Sequence, residues 1–81
     1  MRIEVLYFAA AREAAGRPSE GLDVEHGTTI AALRSLLASR HPALAQRWRG
    51  LRFAVGERFE AEDRVLEAGD VVALIPPVSG G

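Results

Sequence analysis

Few side chains in this sequence are equipped for covalent chemistry. There is no cysteine, so the chain offers no disulfide, no thiolate metal site and no cysteine nucleophile. His26 and His41 stand far apart, without carboxylates at ligand spacing, and read as surface histidines rather than metal ligands. No glycine-rich phosphate loop follows a strand, no nucleophile elbow occurs, and no serine has an obvious histidine and acid partner. What remains is the backbone itself, at the closing stretch "LIPPVSGG", where the chain stops on Gly80 and Gly81.

Paired terminal glycines add nothing to a core and lose much freedom when ordered, so their use must lie outside the folded body. Pro76 and Pro77 cannot donate to a sheet ladder; the strand before them must end there and the chain must leave extended. At ~3.1 Å per residue, Pro76 to Gly81 can reach about 18 Å, far enough to enter another protein's cleft. Pro76, Pro77, Val78, Ser79 and Gly80 are therefore read as the inserted tail, with Gly80 and Gly81 slim enough for a gap that excludes any side chain. The carboxyl of Gly81, with an ordinary pKa of roughly 3.3–3.7, is an anion at neutral pH: a nucleophile toward a nucleotide phosphate and a poor electrophile. Conversion to an acyl adenylate supplies a leaving group, and a sulfur donor can then attack the unhindered carbonyl and leave a thiocarboxylate.

The elements that must hold this tail fit one domain. Eighty-one residues leave no room for a second. A formal charge of −1 argues against nucleic acid or a membrane as partner. The stretch between His26 and Gly56 holds Arg34, Arg40, Arg47, Arg49 and Arg52 without an acid. It lacks the interleaved exposed aromatics of a nucleic-acid surface, Trp48 being the one candidate beside the strand residue Phe53. Val5 to Ala11 resembles a short secretory apolar stretch, but Glu4 interrupts it and cleavage would remove a needed strand, so it is read as mature structure. The absence of cysteine fits a cytoplasmic address. All ten basic residues are arginine. Genome composition is the preferred account; the alternative is that an activated terminus gains from the absence of lysine amines and cysteine thiols.

"RIEVLYFA" alternates as a strand, with Ile3, Val5 and Tyr7 on one side and Leu6 and Phe8 on the other. "AAREAAG" predicts a short helix ending at Gly16, and "GLDV" a short strand. "GTTIAALRSLLASRHP" carries the strongest helical signal: Thr28 as cap, Ile30, Leu33 and Leu37 on one face, Leu36 widening it, and Pro42 closing the run. Leu44 and Trp48, spaced i, i+4, suggest a second helical turn ending at Gly50. "LRFAV" and "RF" flank "GE" as a hairpin with glycine at a positive φ. "VVALI" reads as a central strand covered on both faces. The sum is an α+β domain, a mixed sheet with the long helix across one face.

Two apolar faces on the first strand cannot both fill one helix-covered core. Phe59 and Ile75 can join Phe8 in a patch that receives a protein partner; a loop or the second helical turn covering them is the alternative.

The opening "VLYFAAAREAAG" and the closing "GDVVALIPPVSGG" resemble the small, ubiquitin-like sulfur-carrier subunits of molybdopterin synthase, and the order of elements between them agrees along the whole chain. "AVGERF" stands where that family commonly has asparagine before the turn, and Gly56 tolerates the same left-handed geometry. The resemblance implies a ubiquitin-like β-grasp body over residues 1–75, with about five strands and one main helix, and a flexible tail over 76–81. It implies that Gly81 is adenylated by an ATP-dependent enzyme of the ubiquitin-activating type, with ATP consumed in trans and no cofactor bound by the chain. A sulfurtransferase then supplies the sulfur of a thiocarboxylate. The tail would enter the large synthase subunit, two small with two large, docking through Phe8, Phe59 and Ile75 and delivering sulfur to cyclic pyranopterin monophosphate. Catalytic and pterin-binding side chains would belong to that partner. Other customers for the same sulfur (thiazole, tRNA, amino acids), a ubiquitin-like protein modifier, and an inert β-grasp binding module are the remaining readings.

Overall fold

The computed structural model describes residues 1–46 and 49–77. Arg47, Trp48 and residues 78–81 lie outside the described residues, and with them the expected Leu44–Trp48 pairing. In chain order the elements are β1 (Arg2–Tyr7), α1 (Ala9–Ala15), β2 (Ser19–Asp23), α2 (Ile30–Arg40), α3 (Pro42–Ala45), β3 (Arg52–Val55), β4 (Arg58–Phe59) and β5 (Val71–Ile75). The sheet order is β2-β1-β5-β3-β4. β1 and β5 run parallel at the centre, and the other neighbours are antiparallel. This is the mixed five-stranded sheet expected from the sequence, with β5 in the middle.

Period-two alternation gives the sheet two unlike faces. Ile3, Val5 and Tyr7 of β1, Leu22 of β2, Val72 and Leu74 of β5, and Phe53 and Val55 of β3 point to one side, where Ile30, Leu33 and Leu37 of α2 cover them. All three α2 residues are fully buried. Leu36 does not widen that stripe; it stays 37% exposed, because one more step around the helix carries it past the sheet.

The start of α2 differs from expectation by one residue. Thr29, not Thr28, caps it, accepting the Ala32 N–H at 3.1 Å, while the Thr28 hydroxyl donates to the Glu25 carbonyl in the preceding turn. The Ile30 and Ala31 N–H groups, orphaned at a helix start, donate to the carbonyls of Arg64 and Glu62. That pairing ties the loop before β5 to the helix. α1 ends as predicted, with Gly16 left-handed at φ 74° and its N–H returned to the Arg12 carbonyl. In the β3–β4 turn both Gly56 (φ 56°) and Glu57 (φ 69°) are left-handed. This is the backbone handedness a two-residue hairpin needs, with a non-glycine residue holding the second place.

The expectation that β5 is covered on both faces is corrected. Val72 and Leu74 are fully buried, but Val71 is 41% exposed and Ala73 and Ile75 are only half-buried. The helix layer reaches one face only, so the other sides of β1, β3 and β5 form an open apolar surface.

Candidate functional site

The open face begins with strand register. Leu6 pairs with Ala73, Ala73 with Ala54, and Ala54 with Phe59, so these four residues cross the sheet in one row on the side away from α2. Small alanines in the middle and large residues at the margins make a hollow. Leu6, Ala54 and Ala73 form its floor; Phe8, Phe59, Val71 and Ile75 form its walls; Gly56 and Glu57 close one end. Its volume is about 580 Å³. Phe8, Phe59 and Ile75, the three residues singled out in the sequence, are thus brought to one concavity. Among the described residues neither a loop nor a helix covers it: Phe8 is 47% and Phe59 52% exposed. The Arg52 guanidinium sits 3.8 Å above the Phe59 ring centroid, a cation–π contact that places one fixed positive charge at the margin.

The tail roots at the edge of this hollow. Ile75 is the last residue of β5 with a sheet partner, lying opposite Arg52. Pro76 and Pro77 follow without N–H donors, which ends the ladder as the sequence predicted. Pro76 is half-buried and Pro77 exposed. Val78, Ser79, Gly80 and Gly81, the expected reactive residue, lie outside the described residues.

A second group of polar residues was not anticipated. Glu20 of β2 faces the core side, opposite Val5, with its side chain 3% exposed. The Tyr7 hydroxyl donates to its Oε1 at 2.5 Å and His41 Nε2 lies 2.5 Å from the same oxygen. Arg40 and Arg17 donate to Oε2 at 3.1 and 3.3 Å. Burial pushes the Glu20 carboxyl up, but the hydrogen bonds from Tyr7, His41 and Arg40 outweigh it and hold it down at about 2. Burial, then the bond to Glu20 and its charge, push the Tyr7 hydroxyl well above its ordinary range. His26 is exposed as expected. His41 is not the surface histidine it was read to be: its side chain is 16% exposed and it meets the Tyr7 ring edge-on at 5.8 Å. The available signal was an acid on the inward side of β2, where a buried tyrosine on β1 needs a hydroxyl partner. Beginning the strand at Gly21 rather than Ser19 hid it.

The cluster ties four side chains, Tyr7, Arg17, Arg40 and His41, to one buried carboxylate and so joins β1, β2 and the end of α2. Two arginines of the middle stretch are likewise engaged, Arg40 with Glu20 and Arg34 with Glu62 at 2.7 Å. Among the described residues no group of three or more histidines, cysteines or acids is placed to hold a metal ion. Among them, too, no helix is long and apolar enough to cross a membrane. The arrangement sets an open apolar hollow beside Ile75, where the sheet ladder ends and the C-terminal segment begins.

Comparison with known proteins gives the family. The ThiS family model matches residues 5–81. A human molybdopterin synthase sulfur carrier subunit is 40% identical, covering 99% of this chain and 94% of its own length. A Mycobacterium tuberculosis protein of the same name is 37% identical, covering 100% and 99%. The crystal structure of SAMP1 from Haloferax volcanii superposes with a TM-score of 0.90 at 30% identity over the full length of both chains. A ubiquitin from Caldiarchaeum subterraneum has the same fold, with a TM-score of 0.66 at 18% identity. With a ubiquitin-like β-grasp body and a match that runs to the last glycine, the chain belongs to the ThiS family, in the company of the molybdopterin synthase sulfur carrier subunits.

Proposed function

We propose that the chain carries sulfur as a thiocarboxylate on Gly81 and donates it to cyclic pyranopterin monophosphate within molybdopterin synthase. The observation that carries this reading is the family match extending through residue 81, so that the likeness includes the reactive end as well as the body. A Gly81 carboxylate oxygen attacks the α-phosphate of ATP in an activating enzyme of the ubiquitin-activating type, and pyrophosphate leaves. A sulfurtransferase then delivers sulfur at the oxidation level of sulfide; it attacks the glycyl carbonyl, AMP leaves, and no net oxidation occurs. The body (1–75) serves as the handle and residues 76–81 as the strap. The large subunit, in an assembly of two small and two large chains, supplies the catalytic side chains. The chain itself binds no cofactor, and its setting is the cytoplasm.

Incubation with ATP, activating enzyme and a sulfur source should raise the intact mass by about 16 Da, one oxygen replaced by sulfur, and the gain should map to the last peptide. An unchanged mass under conditions that load a known carrier would defeat the proposal. The apolar hollow is the surface offered to the large subunit. Phe59 is 52% exposed and stands outside the buried cluster, so Phe59→Asp should change unfolding little while weakening binding to that subunit about 100-fold, as measured by titration calorimetry. Equal affinity for both chains would remove the hollow from the interface.

A second reading, covalent modification of other proteins through Gly81, is favoured by the likeness to SAMP1, a small archaeal modifier protein by name. Isopeptide-linked conjugates in cell extract would distinguish it from a carrier that is found only free or thiocarboxylated.

A further inference from the structure

Five described glycines have left-handed φ angles: Gly16, Gly27, Gly50, Gly56 and Gly69. At four of them a side chain would meet open space, with nothing within 4 Å of an added Cβ. Gly50 differs. A Cβ there would lie 3.0 Å from Cγ of Pro77, 3.3 Å from its Cβ and 3.4 Å from its Cδ, so the proline ring packs over the side of Gly50 that a side chain would occupy.

The register explains why these two residues meet. β3 and β5 pair Val55 with Val72, Ala54 with Ala73, Phe53 with Leu74 and Arg52 with Ile75. Continued two residues past the ladder, the same antiparallel alignment sets Gly50 opposite Pro77. Pro77 has no N–H to offer, so ring-on-backbone contact takes the place of the missing hydrogen bond. A flexible side chain could swing off such a seat, whereas a proline ring is tied to its own backbone and cannot move without turning the chain.

We infer that Gly50 is a positioning residue for the C-terminal tail: its bare backbone seats the Pro77 ring and so sets the heading on which residues 78–81 leave the body. The inference rests on the carrier reading for its purpose, since a strap aimed in advance loses less freedom on entering a narrow cleft. β3 and the turn before it then hold the root of the tail at two points, Arg52 on Ile75 by the ladder and Gly50 on Pro77 by contact.

Gly50→Asn tests this directly, because asparagine tolerates a left-handed backbone yet installs the Cβ that meets the ring. Gly27→Asn is the control, with φ 90° and open space around it. The chain has no cysteine, so Ser79→Cys accepts a single nitroxide label in the full-length protein. Paramagnetic broadening of the body amides then maps where the tail lies. Gly50→Asn should redraw that map and raise the apparent KM of the chain for its activating enzyme roughly three- to tenfold, with kcat held. Gly27→Asn should do neither. Should Gly50→Asn fail to fold, Pro77→Ala removes the ring from the other side without straining the Gly50 backbone, and an unaltered broadening map in that variant counts equally against the seat. An unaltered broadening map in the folded Gly50 variant overturns the inference, and so does an equal change in the Gly27 variant. The broadening measurement needs no activating enzyme. A tail that answers to Gly50 in a chain that never gains sulfur would sink the carrier reading and leave the seat standing; sulfur gained with an unmoved tail would do the reverse.

Discussion

A chain ending at Gly80 should fold as the full-length protein does and fail to acquire sulfur. The shortened chain still ends in a glycyl carboxylate, so the loss does not come from removing a functional group. It comes from distance: deleting one extended residue withdraws the reacting carbon by about 3.5 Å. Adenylation needs that carbon within near-attack range of the α-phosphate, and a displacement of about 1 Å can already cost on the order of 100-fold. Loading, followed by intact mass, should therefore fall more than 100-fold, whereas the denaturant midpoint stays put because, among the described residues, no core residue lies beyond Leu74. Loading of the truncated chain at the full-length rate would mean that the reactive end is somewhere other than Gly81.

Replacing Glu20 should produce the largest change in stability outside the apolar core, and a change in its pH dependence that apolar substitutions do not produce. Glu20→Gln keeps the volume but leaves the Tyr7 hydroxyl, His41 and two arginines facing a neutral amide. The arginines are half-exposed and can turn to water; the tyrosine is buried and cannot. A loss of about 3 kcal/mol at pH 7 is expected from denaturant unfolding. A carboxyl held at about 2 when folded, against an ordinary 4.5, stabilises the fold at every pH above 4.5. That contribution drains away as the pH falls from 4.5 through 2, again about 3 kcal/mol in all. The parent should lose stability across that window, and the variant, already without the carboxylate, should lose much less. Parallel curves for the two chains would show that Glu20 is not the group being protonated.

These two sites were unequally visible in the residue types. The tail could be read directly, because proline and glycine constrain or free the backbone wherever they occur, and the absence of other reactive groups left the terminal carboxyl as the candidate. The helix α2 was equally plain from the period of its apolar residues, and β5 from an apolar run too short for a helix, although that run did not show that only one of its faces is covered. Glu20 was not, since its meaning depends on whether the strand starts at Ser19 or Gly21, a shift that decides which side chains point inward. His41 looked like a surface residue until the α2–α3 junction set it against Tyr7.

By itself the sequence determined the kinds of element, the point where the sheet must stop and the presence of apolar residues in excess of one core, because these follow from local backbone preference and side-chain period. Only the tertiary structure decided that Phe8, Phe59 and Ile75 share one hollow, that Glu20 is a buried anchor, and that Gly50 lies beneath Pro77. Each of these joins residues more than ten positions apart, and the pairing register that unites them is set by how whole strands pack rather than by any local run of residues.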